Sequence, residues 1–213
     1  MRILGLTGSI GMGKSTSAAL FRRLRVPVHD SDAVSRALTA PGGLAVPRIA
    51  KAFPGSVTDG VIDRRNLASV VFSDAAALKR LEAILHPLVA ASRKRFLARH
   101  ARAKLVVLDI PLLFEIGAEA ICDAVLVVTA PAWVQRQRAL RRPGMTREKL
   151  AQILARQVPD REKRRRADFV VQTGAGRRAV LRRLRVIAKH LSGKTWTRRR
   201  HARDRARYGN HRA

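Results

Sequence analysis

Apolar positions follow two rhythms along the chain. Short, nearly unbroken runs bounded by turn residues read as strands buried on both faces. They are Arg2 to Thr7, Leu105-Val106-Val107-Leu108-Asp109, Ala124 to Thr129 and Phe169-Val170-Val171. Val26 and Val28 suggest a further short strand that ends at Asp30-Ser31-Asp32. Elsewhere the spacing is helical. Thr16 to Arg25 predicts a helix, and Arg177 to Leu191 predicts the last one. Leu67, Val70, Val71, Leu78, Leu81, Leu85 and Val89 carry a helical pattern through residues 33–104, with breaks at Pro41-Gly42-Gly43, Pro54-Gly55 and Asp59-Gly60. Ile110 to Glu115 reads as a loop and a helix start. Trp133 to Arg142 and Thr146 to Arg156 form an Arg-rich helical pair joined at Pro143-Gly144, with Thr146 as the second N-cap. Strands alternating with helices predict an α/β fold, a parallel sheet flanked by helices with a long helical insertion.

One stretch carries the strongest chemistry. Gly8-Ser9-Ile10-Gly11-Met12-Gly13-Lys14-Ser15 reads G-x-x-x-x-G-K-S between the first strand and the first helix. That is the context of a phosphate-binding P-loop. Gly8, Gly11 and Gly13 let backbone N–H groups, Met12's among them, approach phosphate oxygens. The helix start at Ser15-Thr16 adds its positive dipole end. Lys14 would reach the β- and γ-phosphates, and the Ser15 hydroxyl would hold Mg²⁺. An ordinary Gly-rich turn is the bland alternative. It requires two Gly, a Lys and a Ser at this spacing by chance.

Three further features are weaker. Asp30 and Asp32 fall at a strand's carboxyl end, where open α/β sheets place their ligand crevice. The same Asp-Ser-Asp equally suits a helix cap. Asp109 ends an apolar strand, the pattern of an acid that holds Mg²⁺ directly or through water. The Arg-rich pair is either a mobile lid over a transferring phosphoryl group or a solvated basic face.

Composition narrows the classes. The 213 residues, 46% hydrophobic, suffice for a real core, and no apolar run approaches a membrane span. Met1 leads directly into a core strand, so no signal peptide is expected. The single Cys122 excludes an internal disulfide and a Cys-only zinc site, and the simple expectation is the cytoplasm. The net charge is +29, and only eight Lys/Arg and one Asp lie beyond Gly193, so the body itself is basic. Such a chain favours anionic partners. Aromatics at 4% offer few stacking platforms, so a bias toward Arg and Ala explains the charge better than nucleic-acid binding. Residues 191–213 read as a disordered basic tail with Trp196 as its one anchor.

In their joint order these residues resemble the dephospho-CoA kinase family over about residues 3–190. The resemblance rests on Leu6 to Thr16, on Asp30-Ser31-Asp32, and on Asp59-Gly60 through Asp63-Arg64, Leu67 and Val71-Phe72. It continues in Leu85-His86-Pro87-Leu88, Pro111-Leu112-Leu113-Phe114-Glu115 and Ala167-Asp168-Phe169-Val170. It implies a single P-loop kinase domain over 1–190, with core segments 1–32, 105–130 and 166–190. A helical acceptor-binding insertion would span 33–104 and a helical lid 131–165. The implied reaction moves the γ-phosphoryl of ATP, with Mg²⁺, to the ribose 3′-hydroxyl of dephospho-CoA, the last step of coenzyme A synthesis. By position, the resemblance makes Asp32 the candidate general base, and Lys14, Arg138 and Arg142 catalytic, the two arginines as a lid pair four residues apart. Asp30, Asp32, Arg64, His86 and Leu113 fall on the acceptor side. Ser15 and Asp109 would hold the metal, and residues Gly8 and Gly11 to Thr16 the nucleotide. Ser9 and Met12 stand where relatives often have Gly and Ser, and Gln172-Thr173 where Asp-Asn is usual, so no adenine contacts carry over. A P-loop nucleoside monophosphate kinase and a basic, nucleic-acid-associated NTP-binding protein are the alternatives.

Overall fold

The computed structural model describes residues 1–193, apart from the side chain of Phe72. The basic tail, with Trp196, lies outside the described residues. Five parallel strands form one sheet: β1 (Arg2–Thr7), β2 (Val28–Asp30), β3 (Leu105–Asp109), β4 (Ala124–Thr129) and β5 (Phe169–Gln172). Their order across the sheet is β2-β3-β1-β4-β5. The second strand therefore sits beside β3 and not beside the first. Asp30 is in register with Asp109, and Asp109 with Leu6, so all three strand ends meet at one edge.

Alternation sorts the strand residues onto two cores. Leu4, Leu6, Leu105, Val107, Leu126 and Val128 face one cluster with Phe21, Val180 and Leu184. Those partners come from α1 (Lys14–Arg23) and from the C-terminal helix Arg177–Ser192. Leu108, Val125 and Val127 face the other cluster with Leu113 and Phe114. Burial on both faces explains why the strands read as unbroken apolar runs.

The insertion is built from α2 (Ser31–Leu38), α3 (Val46–Ala52), α4 (Arg64–Ser73) and α5 (Ala75–Arg99). Between α3 and α4 lies a small antiparallel hairpin, Val57–Thr58 with Val61–Ile62, turned at Asp59-Gly60. Phe53, Ile49, Ile62, Leu67 and Val71 give the insertion its own apolar cluster. Asp63 caps α4 by accepting from Arg65 and Asn66 N–H groups, and Asp74 caps α5 through Ala76 N–H. Pro87 stands inside α5 without ending it; Ala83 lacks its usual N–H partner there.

Three expectations differ. The first helix starts at Lys14 and ends at Arg23, because Arg25 takes a left-handed conformation, φ 58°. Ile110 to Glu115 does not start an α-helix. Pro111 has no amide proton and Gly117 sits at φ 66°, so the segment closes in turns that lead to a 3-10 helix, Ala118–Ile121. The Arg-rich segment holds three helices and not two: α6 (Ala132–Leu140), α7 (Arg147–Ala155) and α8 (Asp160–Arg166); the C-terminal helix is α9. No helix among the described residues is long and apolar enough to cross a membrane.

Candidate active site

The glycine-rich loop connects β1 to α1 in the expected place. Two of its glycines are enforced by close approach. A Cβ on Gly8 would lie 2.6 Å from the Val128 carbonyl oxygen. On Gly11, at φ 78°, it would lie 2.6 Å from the Gln135 carbonyl oxygen, so α6 leans directly on the loop. The backbone N–H groups of Gly11, Gly13, Lys14, Ser15 and Thr16 find no hydrogen-bond acceptor among the described residues. These are the loop and first-turn donors that a phosphate would satisfy. Met12 N–H is used otherwise, donating to the Ser9 carbonyl at 3.1 Å. The Met12 side chain is buried, its Sδ 3.0 Å from Ala130 N–H. Met12 therefore packs in the core through its side chain and closes the loop's internal turn through its N–H.

Lys14 sits between two carboxylates, Asp109 at the end of β3 and Asp32 in the first turn of α2. Its Nζ donates to Asp109 Oδ1 at 2.7 Å and lies 3.9 Å from Asp32 Oδ2. Asp109 is buried, its side chain 2% exposed. Burial pushes its carboxyl above the ordinary value; the Lys14 ammonium opposes this, and Asp30 and Asp32 add to it. The two acids of the Asp-Ser-Asp stretch have separate jobs. Asp30 ends β2 and caps α2, its Oδ1 accepting from Ala33 N–H at 2.9 Å. Asp32 lies within α2, so strand alternation does not relate it to Asp30. Its side chain is 52% exposed and keeps free carboxylate surface beside Lys14.

Arg138 projects from α6 to the other flank of the loop. It donates to Thr173 Oγ1 at 2.8 Å and to the Thr173 carbonyl at 3.0 Å. Thr173 Oγ1 in turn donates to the Met12 carbonyl at 2.9 Å. Gly13, Thr16, Arg138, Thr173 and Arg177 line a cavity of about 260 Å³ there. Arg142 does not share this position. It is exposed and falls past Leu140, where α6 ends, so the four-residue spacing does not place the two arginines on one helical face. Arg64, at the start of α4, and His86, midway along α5, are exposed and make no hydrogen bond or ion pair with Lys14, Asp32 or Asp109. Leu113 corrects the expectation of an acceptor contact. It is fully buried among Leu108, Phe114 and Val125, and its side chain is core packing.

Several residues that frame the loop carried no signal of their own. Gln135 Nε2 donates to the Ile10 carbonyl at 2.9 Å, and Gln157 Oε1 accepts from Ile10 N–H at 3.2 Å. Glu115 Oε1 accepts from Val158 N–H at 2.9 Å and pairs with Lys163 Nζ at 2.8 Å, although Lys163 stands in a run of basic residues and is wholly buried. Thr129 Oγ1 donates to Asp160 Oδ2 at 2.8 Å. Only Glu115 was visible, as the last residue of Pro111 to Glu115. A Gln or Lys has no pattern that announces a buried partner.

Residues 2–178 match the model of a family described as dephospho-CoA kinase. A curated dephospho-CoA kinase of Mesorhizobium japonicum is 58% identical over 195 residues, 91% of this chain and 98% of its own length. That of Paramagnetospirillum magneticum is 63% identical over 166 residues, 77% of this chain and 78% of its own. A crystal structure from Thermus thermophilus superposes with a TM-score of 0.80 at 40% identity, over 90% of this chain and 98% of that one. The solved dephospho-CoA kinase of Campylobacter jejuni, 23% identical, shares the fold at a TM-score of 0.66, over 89% of this chain and 96% of its own. With the loop, its lysine and the acids at the strand ends in place, and the match spanning nearly all the described residues, the chain belongs to the dephospho-CoA kinase family.

Proposed function

We propose that this chain catalyses ATP-dependent phosphorylation of the ribose 3′-hydroxyl of dephospho-CoA, giving coenzyme A and ADP. Beyond family membership, the observation that carries the reading is the meeting of Lys14, Asp32 and Asp109 at one edge of the sheet. A phosphoryl acceptor needs a carboxylate near the cation that gathers the phosphates, and Asp32 has both the position and the exposure. In this reading Asp32 orients the 3′-hydroxyl and takes its proton as the oxygen attacks phosphorus. Lys14 offsets charge on the β- and γ-phosphates. The unpartnered N–H groups from Gly11 to Thr16 hold the phosphate oxygens. Gly8 belongs to the same cradle by keeping the loop against Val128.

The donor set also suits a magnesium ion carried by the nucleotide. Ser15 offers an exposed hydroxyl at the helix start, and Asp109 a carboxylate on the strand beside Asp30, both hard oxygen donors. When bound, the ion would supply electrophilic stabilisation of the phosphate oxygens. Burial raises the Asp109 pKa, and the Lys14 ammonium opposes that rise. Residues 33–104 supply the acceptor side in this reading, with Arg64 and His86 exposed there for anionic groups of the acceptor. Asp30 supports Asp32 by capping its helix, and Arg142 serves the transferring phosphoryl group.

The test is direct. MgATP is supplied with dephospho-CoA, AMP, CMP, thymidylate or RNA, and ADP release is followed. Turnover should be confined to dephospho-CoA. Preference for a nucleoside monophosphate would overturn the assignment, and release only with RNA would indicate an NTP-driven binding protein.

A further inference from the structure

The backbone of Ile10 is held on both sides by side chains from outside the loop. Gln135, on α6, donates to its carbonyl at 2.9 Å, and Gln157, between α7 and α8, accepts from its N–H at 3.2 Å. One turn on, Met12 is held in the same manner, its carbonyl by Thr173. Ile10 and Met12 flank Gly11, whose N–H is among the unpartnered donors. Glycine is the residue least able to hold a conformation by itself. The phosphate-facing geometry of Gly11 therefore depends on its neighbours being fixed.

The two glutamines cannot exchange roles. Gln135 must give a hydrogen and Gln157 must accept one. Gln157 is itself placed by the next residue: Val158 N–H donates to Glu115, which also binds the buried Lys163. The loop after β3, the segment between α7 and α8, and the phosphate loop are thus joined through the backbone of one residue, Ile10.

We propose that Gln135 and Gln157 are positioning residues for phosphoryl transfer, a two-sided clamp that fixes the two peptide planes flanking Ile10 and thereby the cradle at Gly11. This rests on the reading of the loop as the ATP site, but not on the identity of the acceptor. The loss of either bond frees a peptide plane in the cradle, and the phosphates must then order it on binding.

The polarity of the two bonds gives the test. Four variants are made: Gln157→Leu, Gln157→Glu, Gln135→Leu and Gln135→Glu. MgATP affinity is measured by calorimetry, and kcat with dephospho-CoA by ADP release. Gln157→Leu and Gln135→Leu should each weaken MgATP binding about five- to tenfold, the range for one lost hydrogen bond with its partner left unpaired. Gln157→Glu keeps an acceptor for Ile10 N–H and should stay within about twofold of wild type. Gln135→Glu sets a carboxylate against the Ile10 carbonyl and should be at least as impaired as Gln135→Leu. The dephospho-CoA KM should not move in any of them. Equal behaviour of the two Glu variants, or wild-type MgATP affinity in both Leu variants, would overturn the clamp. A general loss of packing would lower melting temperature in all four and spare none, and that result also overturns it. If wild type binds MgATP but turns over no dephospho-CoA, the acceptor assignment fails while the clamp is still judged by affinity.

Discussion

Lys14→Met should damage stability and transfer together, by separable amounts. The ammonium lies 2.7 Å from Asp109 Oδ1, with side-chain exposures of 13% and 2%. Removing one member of a buried pair costs roughly 3–5 kcal/mol, because the other is left charged and unpaired. Protonation sets a ceiling. Neutralising a carboxyl whose ordinary pKa is 3.8, near neutral pH, costs about 4 kcal/mol at about 1.36 kcal/mol per unit. Burial has already raised the Asp109 pKa, so the ceiling is lower. A loss of about 2–4 kcal/mol follows, or roughly 4–16 °C in melting temperature for a chain of this size. The sign with pH is fixed too. A carboxyl whose folded pKa is raised binds its proton more tightly folded than unfolded, so its ionisation destabilises the fold as pH rises. The deficit of Lys14→Met should therefore narrow as pH is lowered from neutral toward the raised Asp109 pKa. Adding Asp109→Asn removes the stranded charge and should restore most of the stability with none of the activity. Thermal melts across pH and an ADP-release assay read both effects. A single variant that melts within about 1 °C of wild type, against the expected shift, would mean that the pair is not buried as described. Near-normal turnover would remove Lys14 from the chemistry.

Asp32→Asn should lower kcat by about two orders of magnitude and leave MgATP affinity nearly unchanged, whereas Asp30→Asn, which can still cap α2, should cost less than about threefold; a larger fall for Asp30 would exchange their roles. Arg138→Ala should raise the KM for ATP about tenfold through loss of the charged contacts to Thr173, while Arg142→Ala should lower kcat at unchanged ATP affinity. Identical effects of the two would restore them to a common function. His29 is buried, with Arg93 and Asp30 as its charged neighbours and Ser92 and Phe96 against the ring, and burial followed by Arg93 lowers its pKa. Its unfolded form gains the proton first, so stability present above about pH 6.5 should fall as pH drops through the lowered value. His29→Gln should give a shallower melting profile over that window, and an unchanged slope would discard the assignment.

What was legible in the chain follows from how local each cause is. The phosphate loop is contiguous, and its glycines and lysine carry their constraint within a few residues. The apolar runs gave the strands, because burial on both faces leaves no alternation to mislead. The order of strands was not legible: β2 lies beside β3, and only the register Asp30 to Asp109 brings the three acids to one edge. The Asp30–Asp32 question turned on a boundary of one residue. Once β2 stops at Asp30, Asp30 caps α2 and the Asp32 carboxylate is left exposed beside Lys14. Leu113 shows the opposite limit, since membership in a motif did not distinguish a substrate contact from core. Lys163 reads as one more solvated base until Glu115 is seen beside it.

The Arg-rich segment shows why a local reading cannot divide a moving part from a fixed one. The family resemblance implies a single lid over 131–165. Yet Val134 belongs to the core under the sheet, and Ala139 is fully buried. Between them Gln135 holds Ile10 and Arg138 holds Thr173. Displacing α6 would break both bonds and withdraw the backbone that presses on Gly11. Movement of α6 as a whole would thus cost the cradle its shape at the moment phosphate needs it. Motion that brings an arginine toward the transferring group must begin after Leu140, where Arg142 stands exposed in a turn beside Gly144. In the function proposed above, α6 would then belong to the nucleotide site, and a lid would begin inside the run of arginines that made it look continuous.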